Sequence, residues 1–258
     1  MSVKKLFDLS GRTAIITGGS RGLGLQMAEA LGEMGAQLAL TARKQDELDQ
    51  AVAQLAKQGV TAQAFVCDIG QRDRIPGVFD QMLAKLGRVD ILVNNAGAVW
   101  GAPAEDHPLA AWDKLVALNL IGGFVMAQQA AKKAMIPAKW GRIVNVASVA
   151  GLYASAPAVV RTVSYNATKH GVVGMTKQLA AEWGEHGITV NAICPGFFLS
   201  KMTRATFEAS SELMIRGTPT RRLGGPEDLK GLAVLLASDA SRHITGQAIA
   251  VDGGAMLI

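Results

Sequence analysis

Short apolar segments alternate with longer amphipathic segments along almost the whole chain, and this alternation restricts the fold more than any other feature. Seven segments have the length and composition of buried strands: Thr13–Thr17, Gln37–Thr41, Ala62–Val66, Ile91–Asn94, Arg142–Val146, Thr189–Ile193 and Ala248–Val251. The helical patterns between them include Leu23–Met34, Asp46–Lys57, Pro108–Met135 and Tyr165–Glu185. Strands that alternate with helices form right-handed βαβ units with parallel strands. The 258 residues therefore predict a single α/β domain over 1–258, with a doubly wound parallel sheet of about seven strands and helices on both faces.

Composition and charge argue against several classes of function. The formal charge is +5, but the 26 basic residues are spread among 21 acidic ones without a dense basic run, so we predict no nucleic-acid binding. Uninterrupted apolar runs fall short of the roughly 20 residues that cross a bilayer, and the first residues lack the apolar core of a signal peptide. We predict a cytoplasmic protein that does not enter a membrane. Cys67 and Cys194 lie in apolar stretches without metal-ligand spacing, which indicates buried free thiols and no metal site.

A glycine-rich segment follows the first predicted strand. Ligands of doubly wound sheets bind beyond the carboxyl ends of the strands, so this segment is a candidate binding loop. Gly18, Gly22 and Gly24 let the backbone turn tightly and approach a pyrophosphate, whose charge the N-terminus of the next helix stabilises. The spacing Gly-x-x-x-Gly-x-Gly differs from the general dinucleotide fingerprint, and the Gly-Lys-Ser/Thr of nucleotide triphosphatases does not follow. A glycine-rich turn without a ligand is the alternative.

Tyr165 and Lys169 are four residues apart, so in a helix their side chains share one face. A free tyrosine has a pKa of about 10, and a cation within roughly 4 to 6 Å lowers it. Such a phenol can act as a general acid and base on an alcohol or a ketone. The pair also occurs by chance in ordinary helices, so it indicates chemistry only beside a cofactor site.

These residues belong to an ordered set of motifs. The set is Thr17-Gly18-x-x-x-Gly22-x-Gly24, Asn94-Asn95-Ala96-Gly97, Asn119, Ser148, Tyr165-x-x-x-Lys169 and Pro195-Gly196. It resembles the short-chain dehydrogenase/reductase family, and the resemblance extends from about Leu9 to Gly254. It implies a Rossmann-type fold and an oxidoreductase that interconverts a secondary alcohol and a ketone, as a carbonyl reductase does. The alternative from another class is a cofactor-binding regulator without catalysis, but an idle descendant would have no reason to keep the four catalytic residues together.

The resemblance assigns catalytic roles to Asn119, Ser148, Tyr165 and Lys169. Tyr165 would exchange a proton with the substrate oxygen, and Ser148 would hydrogen-bond that oxygen as charge develops on it. Lys169 would hold the phenol's pKa down and bind the nicotinamide ribose, and Asn119 would hold a water that completes a proton relay. Taken singly, Tyr165 could be a helix-surface aromatic, Ser148 a turn or cap residue and Asn119 a buried amide. The residues expected to bind the cofactor are Gly18, Ser20, Arg21, Gly22, Leu23, Gly24, Arg43, Asp68, Ile69, Asn95, Ala96, Gly97, Tyr165, Lys169, Pro195 and Gly196.

The segment after the second predicted strand indicates which nicotinamide cofactor binds. An acidic residue there would accept the ribose hydroxyls of NAD and repel the 2′-phosphate of NADP. Here the strand runs into Thr41-Ala42-Arg43-Lys44, and the first carboxylate is Asp46. Arg43 and Arg21 can both reach a 2′-phosphate, so we predict NADP(H) rather than NAD(H). Two solvated arginines are the alternative; Asp68 is either a ligand of the adenine amino group or a turn carboxylate.

Two segments distinguish this chain from ordinary family members. Ser148 and Tyr165 are 17 residues apart, a longer separation than the family usually shows, so we expect 153–164 to shape the mouth of the site. The family's substrate lid corresponds to about 196–222. Its basic residues outnumber its acidic ones, which suits an anionic substrate such as a sugar acid or a 3-oxoacyl phosphopantetheine thioester; a solvated charged surface is the alternative. These residues are Lys201, Arg204, Arg216, Arg221 and Arg222, against Glu208 and Glu212.

Two further resemblances concern the kind of substrate and the assembly. The segments Phe7–Arg12 and Leu223–Lys230, with the long loop before Tyr165, are similar to gluconate 5-dehydrogenase-like members of the family. The two longest helical patterns carry more apolar and small residues than a solvent-facing helix needs. Family members commonly form tetramers through these helices and the C-terminal strand, so we predict a homotetramer.

Overall fold

The structure is a computed structural model that describes residues 1–154, 157, 159–199 and 211–257. Within these residues a parallel sheet of seven strands has the order β3-β2-β1-β4-β5-β6-β7. The strands are β1 Thr13–Thr17, β2 Gln37–Ala42, β3 Ala62–Val66, β4 Ile91–Asn94, β5 Gly141–Val146, β6 Ile188–Pro195 and β7 Ala248–Val251. The predicted sheet is confirmed. β6 is longer than predicted because Cys194 and Pro195 still pair with β7.

Helices connect the strands and cover both faces of the sheet, as predicted. They are α1 Val3–Phe7, α2 Gly22–Glu33, α3 Gln45–Lys57, α4 Ile75–Leu86, α5 Leu109–Ala138, α6 Val163–Trp183 and α7 Lys230–Ala237. On one face α2, α3 and α7 bury residues such as Met27 and Leu55 against the sheet. On the other face α4, α5 and α6 bury residues such as Phe79 and Met126. The central strands β1, β4, β5 and β6 have buried side chains on both faces, which explains their continuous apolar composition. The outer strands β3 and β7 are only partly buried.

Helix α4 is absent from the predicted helices named above. Pro76 and Gly77 lie near its start, and both residues usually indicate the end of a helix. Proline is nevertheless tolerated in the first turn. Its buried residues recur every three to four positions, and this spacing in the sequence would have predicted the helix. They are Ile75, Phe79, Met82 and Leu86.

Helix α5 contains two wider π-helical stretches, Val116–Ile121 and Ala131–Met135. By length and composition alone this 30-residue helix could cross a membrane, because its most apolar window has a mean hydropathy of 1.4. Here it packs beside α4 and α6 as a helix of the α/β domain. Only 22% of the window is buried within the chain, and its exposed apolar residues include Leu109 and Phe124. The absence of membrane contact stays a prediction.

The strand order fixes the position of a crevice. The chain runs from β1 through β2 to β3 at one edge, then returns to β4 on the other side of β1. Thr17, the last residue of β1, therefore pairs with Thr41 of β2 and with Asn94 of β4. Loops that leave β1 and β4 turn to opposite faces at this point, which opens a crevice at the carboxyl edge of the sheet.

Candidate active site

The loop after β1 has a backbone that requires glycine. Gly18 and Gly22 have φ angles of +65° and +57°, in the left-handed region that other residues rarely adopt. At Gly24 a Cβ atom would lie 2.4 Å from both the Asn95 side-chain nitrogen and the Gly18 carbonyl oxygen. A Cβ atom at Gly22 would meet no atom of the described chain within 4 Å. The loop is thus closely packed on its inner side and open at the N-terminus of α2, as a pyrophosphate site requires.

Asn95, directly after β4, stabilises this loop through hydrogen bonds. Its side-chain nitrogen donates to the carbonyl oxygens of Thr17 and Gly18, at 2.9 and 3.1 Å. The Thr17 hydroxyl accepts from the backbone N–H groups of Asn95 and Ala96, both at 3.0 Å. The Asn95 side chain therefore positions the glycine loop.

Ser148 and Tyr165 bring two hydroxyl groups together beyond the carboxyl ends of β5 and β6. Ser148 caps a short helical turn, accepts a hydrogen bond from the Ala150 N–H at 3.1 Å and donates to the Pro195 carbonyl at 3.5 Å. Tyr165 lies in the first turn of α6, where burial raises the pKa of its phenol and a hydrogen bond with Ser148 lowers it. Both hydroxyls can therefore reach one substrate oxygen.

Lys169 is buried below Tyr165 on the same face of α6. Its side chain is 5% exposed, and Nζ donates to the Val146 carbonyl at 2.7 Å. Nζ lies 5.6 Å from the centre of the Tyr165 ring. Burial lowers the pKa of Lys169 to about 8.

The expectation that Lys169 lowers the pKa of the phenol stays a prediction, because the shift seen here comes from burial, Ser148 and Cys194. Burial has the largest effect on Tyr165 and raises its pKa. The same burial lowers the pKa of Lys169. Loss of water disfavours the phenolate and the ammonium alike, so burial moves the two pKa values in opposite directions.

Asn119 joins three parts of the site through its side chain. It lies in the first π-helical stretch of α5 and is 5% exposed. Its Oδ1 accepts from the Ala98 N–H at 2.9 Å, and its Nδ2 donates to the Ala98 carbonyl at 3.0 Å and to the Thr168 hydroxyl at 3.1 Å. The side-chain amide is therefore already hydrogen-bonded within the protein. The predicted water would have to bind a backbone group of the widened helix instead.

Gly97 keeps the space beside Lys169 and Asn119 open. A Cβ atom at this position would lie 3.3 Å from Asn119 Oδ1 and 3.7 Å from Lys169 Nζ. The missing side chain leaves the ammonium approachable from the crevice between β1 and β4. The residues present therefore fit a nicotinamide dinucleotide, with its pyrophosphate at the glycine loop and its nicotinamide ribose beside Lys169.

The expected adenine end of the crevice also contains an acidic residue that no sequence motif indicates. Glu47, in the first turn of α3, accepts a hydrogen bond from Arg21 Nη1 at 2.7 Å. Arg43 is exposed and forms no ion pair with any residue that the structure describes. Asp68 accepts from the Gly70 N–H at 3.0 Å, as a turn carboxylate does, and Ile69 is buried. Ser20 and Leu23 are half-buried on either side of Arg21 and Gly22.

Comparison with known proteins agrees with this geometry. A family model described as enoyl-(acyl carrier protein) reductase matches residues 18–256. The gluconate 5-dehydrogenase of Gluconobacter oxydans (strain 621H) is 38% identical over 256 residues, with 98% of each chain covered. The chain belongs to the short-chain dehydrogenase/reductase family. The predicted family and its class of enzyme, an oxidoreductase acting on CH–OH groups, are thereby confirmed.

Two other members of this dehydrogenase/reductase family show the range of its named activities. The D-threitol dehydrogenase of Mycolicibacterium smegmatis (strain ATCC 700084 / mc(2)155) is 37% identical over 255 residues, covering 98% of this chain and 96% of the relative. A crystal structure of a gluconate 5-dehydrogenase from Burkholderia cenocepacia J2315, in complex with NADP and tartrate, has a TM-score of 0.94 at 34% identity, with both chains fully covered. The prediction of NADP(H) agrees with the cofactor bound in that neighbour.

The segment that corresponds to the family's substrate lid is described only in part. Lys201, Arg204 and Glu208 lie outside the described residues, as do 155, 156 and 158 of the loop before Tyr165. Arg222 pairs with both carboxylate oxygens of Asp228, at 2.5 and 2.8 Å, and Arg216 pairs with Glu212 at 2.7 Å. These pairs weaken the argument for an anionic substrate, because the positive charge of two lid arginines is already compensated.

Pro195 and Gly196 close the site on the side of β6. Pro195 is the last residue of β6. The Gly196 N–H donates to the Val251 carbonyl at 3.0 Å, and a Cβ atom there would lie 2.7 Å from Asp252 Cβ. This close approach joins the ends of β6 and β7 and requires glycine.

Proposed function

We propose that this chain is an NADP(H)-dependent dehydrogenase/reductase that interconverts a secondary hydroxyl and a ketone on an open-chain sugar acid or polyol. The observation that carries the proposal is the convergence of Ser148, Tyr165 and Lys169 at the carboxyl edge of the sheet, beside the open glycine loop. A non-catalytic regulator would not need this arrangement.

Each catalytic side chain has a role that its surroundings support. The raised pKa of Tyr165 keeps the phenol protonated at neutral pH, so it is ready to donate a proton to the oxygen of a ketone. Ser148 hydrogen-bonds the same oxygen as negative charge develops on it. Lys169 binds the nicotinamide ribose and helps return the proton to Tyr165, through a water held at the widened backbone beside Asn119. NADP(H), when bound, accepts or supplies the hydride.

The cofactor would lie across the crevice between β1 and β4. The backbone N–H groups from Gly18 to Gly24, at the N-terminus of α2, would hold the pyrophosphate. Arg21 and Arg43 would bind the 2′-phosphate. Asp68 and Ile69 would contact the adenine, Ala96 and Gly97 the ribose, and Pro195 and Gly196 the nicotinamide.

The substrate class is supported by the relatives and not by the charge of the lid. Gluconate and D-threitol, named in two relatives, are open-chain molecules with adjacent hydroxyls, and tartrate, bound in a third protein, shares this chemistry. A 3-oxoacyl thioester is the competing substrate, and the charge of the lid does not distinguish it from a sugar acid, since both are anionic.

A substrate panel with a catalytic variant tests the proposal. NADPH oxidation should be fastest with 5-ketogluconate or a related keto-polyol, and slower with acetoacetyl thioesters, diketones and aryl ketones. Tyr165→Phe should reduce kcat about a thousandfold, the range expected for loss of a general acid, while NADPH binding is kept. Undiminished ketone reduction by Tyr165→Phe would falsify the role of the tyrosine. Turnover of acetoacetyl thioesters alone would contradict the sugar-acid assignment.

The assembly and the surroundings of the site complete the proposal. The protein would be a cytoplasmic homotetramer, in which a second copy covers the apolar face of α5. The segment of about 196–222 would close over the substrate as a lid, and the loop 153–164 would form part of the entrance.

A further inference from the structure

We propose that Glu47 is a specificity-determining residue of the cofactor site, because it competes with the 2′-phosphate of NADP for Arg21. Its carboxylate thereby reduces the preference for NADP over NAD. The inference rests on the proposed cofactor site and adds a residue that opposes the two arginines.

The ion pair spans the two segments that would surround the adenosine ribose. Arg21 is the N-cap of α2 in the glycine loop, and Glu47 lies in the first turn of α3, just beyond the carboxyl end of β2. Arg21 Nη1 and Glu47 Oε1 are 2.7 Å apart, and Lys44 Nζ lies 3.5 Å from the same oxygen. The pair is accessible to a ligand, since 50% of the Arg21 side chain and 22% of the Glu47 side chain are exposed.

The chemistry of the three groups predicts opposite effects on the two cofactors. A guanidinium binds carboxylate and phosphate oxygens with the same geometry, so a 2′-phosphate must displace or share the Glu47 carboxylate. That carboxylate also repels the phosphate at short range. The 2′-hydroxyl of NAD has no charge and can donate a hydrogen bond to Glu47, so NAD leaves the ion pair intact.

The competing explanation is that Glu47 only stabilises the N-terminus of α3. The adjacent Asp46 provides the control for this explanation. An acidic side chain in the first turn stabilises any helix through the helix dipole. Asp46 has the same charge in the same turn, is exposed and has no ion pair in the described part of the chain. Asp46→Asn therefore reproduces the change in net charge and helix stability without releasing Arg21.

Equilibrium binding of NADP and NAD to the full chain tests the inference without any substrate. Titration calorimetry on Glu47→Gln should show a Kd for NADP about fivefold lower than that of the wild type, the upper end of what an exposed ion pair is worth. The Kd for NAD should stay the same or rise. Asp46→Asn should change the ratio of the two Kd values less than about twofold, since screened surface charges contribute little.

A double-mutant cycle separates the failure of this inference from the failure of the proposed cofactor site. If Glu47 acts through Arg21, Glu47→Gln should have little effect in an Arg21→Ala background. A Kd for NADP that is equal in Glu47→Gln and Asp46→Asn overturns the inference alone, provided that Arg21→Ala still weakens NADP binding. If NADP binds no better than NAD and Arg21→Ala changes neither Kd, the proposed cofactor site is wrong, and the inference with it.

Discussion

Burial shifts the pKa values of the two central catalytic side chains in opposite directions. The pKa of Tyr165 is raised and that of Lys169 is lowered to about 8, in both cases because water is excluded. The four-residue spacing of the pair predicts their shared helix face but not the depth at which that face is buried. For this reason the sequence places both residues on one helix face but does not predict how burial shifts their pKa values.

The lowered pKa of Lys169 predicts that the residue destabilises the cofactor-free protein near neutrality. The folded protein releases this proton at about pH 8, whereas the unfolded chain keeps it up to its ordinary pKa of 10.5. The unfolded state therefore binds more protons between these values, and stability rises with pH across that window. The penalty is complete below about pH 8 and absent above the unfolded value.

We therefore expect Lys169→Met to be more stable than the wild type at pH 7, by roughly 2 kcal/mol. The lowered pKa corresponds to about 3 kcal/mol, and the lost hydrogen bond to Val146 offsets about 1 kcal/mol of it. Urea unfolding at a fixed protein concentration, at pH 7 and at pH 10, measures the difference. The advantage should shrink at the higher pH. An advantage of equal size at both values would show that it comes from packing and not from the charge.

At the scale of elements, the ends of the strands follow from the sequence, and the internal geometry of the helices does not. Buried strands are continuous apolar runs between turn residues, so β1 and β4 have the predicted bounds. The composition of α5 predicts a long helix but contains no signal for the π-helical turn at Val116–Ile121. That turn sets the position of Asn119, whose side chain connects α5 to the segment after β4 and to α6.

Loss of this connection should destabilise the protein as well as its activity. Asn119→Ala leaves the Ala98 N–H and carbonyl without their side-chain partner and removes one bond of the Thr168 hydroxyl, which keeps its bond to the Tyr165 carbonyl. We expect the free energy of unfolding to fall by roughly 2 to 3 kcal/mol. Chemical denaturation checks this value. Gln50→Ala removes an exposed amide from α3 and should change stability by less than about 0.5 kcal/mol. An Asn119→Ala variant as stable as this control would contradict the structural role of the amide.

At the scale of the whole molecule, the amino ends and the carboxyl ends of the strands carry different kinds of residues. At the amino edge, Asp90 is 3% exposed and accepts hydrogen bonds from Arg12, Arg88 and the Thr13 N–H, which satisfies a buried charge. At the carboxyl edge lie the glycine loop, the hydroxyl pair and the lysine. Alternating strands and helices predict this division, since all strands of a parallel sheet have their carboxyl ends on the same side. They do not predict ion pairs such as Arg21–Glu47, because partners 26 residues apart meet only through the fold.

The uncovered apolar face of α5 predicts the state of assembly. Only 22% of its apolar window is buried in a single chain, and Phe124 and Leu109 are 38% and 79% exposed. A face of this kind is stabilised when a second copy covers it. If the proposed tetramer forms through this face, Phe124→Glu should prevent it, because association would bury an unpaired carboxylate, and sedimentation velocity measures the change. Ala53→Glu adds the same charge to an exposed position of α3, on the opposite layer, and should sediment like the wild type. A wild-type protein that sediments as a monomer, or a Phe124→Glu variant that remains a tetramer, would show that this face is not the interface.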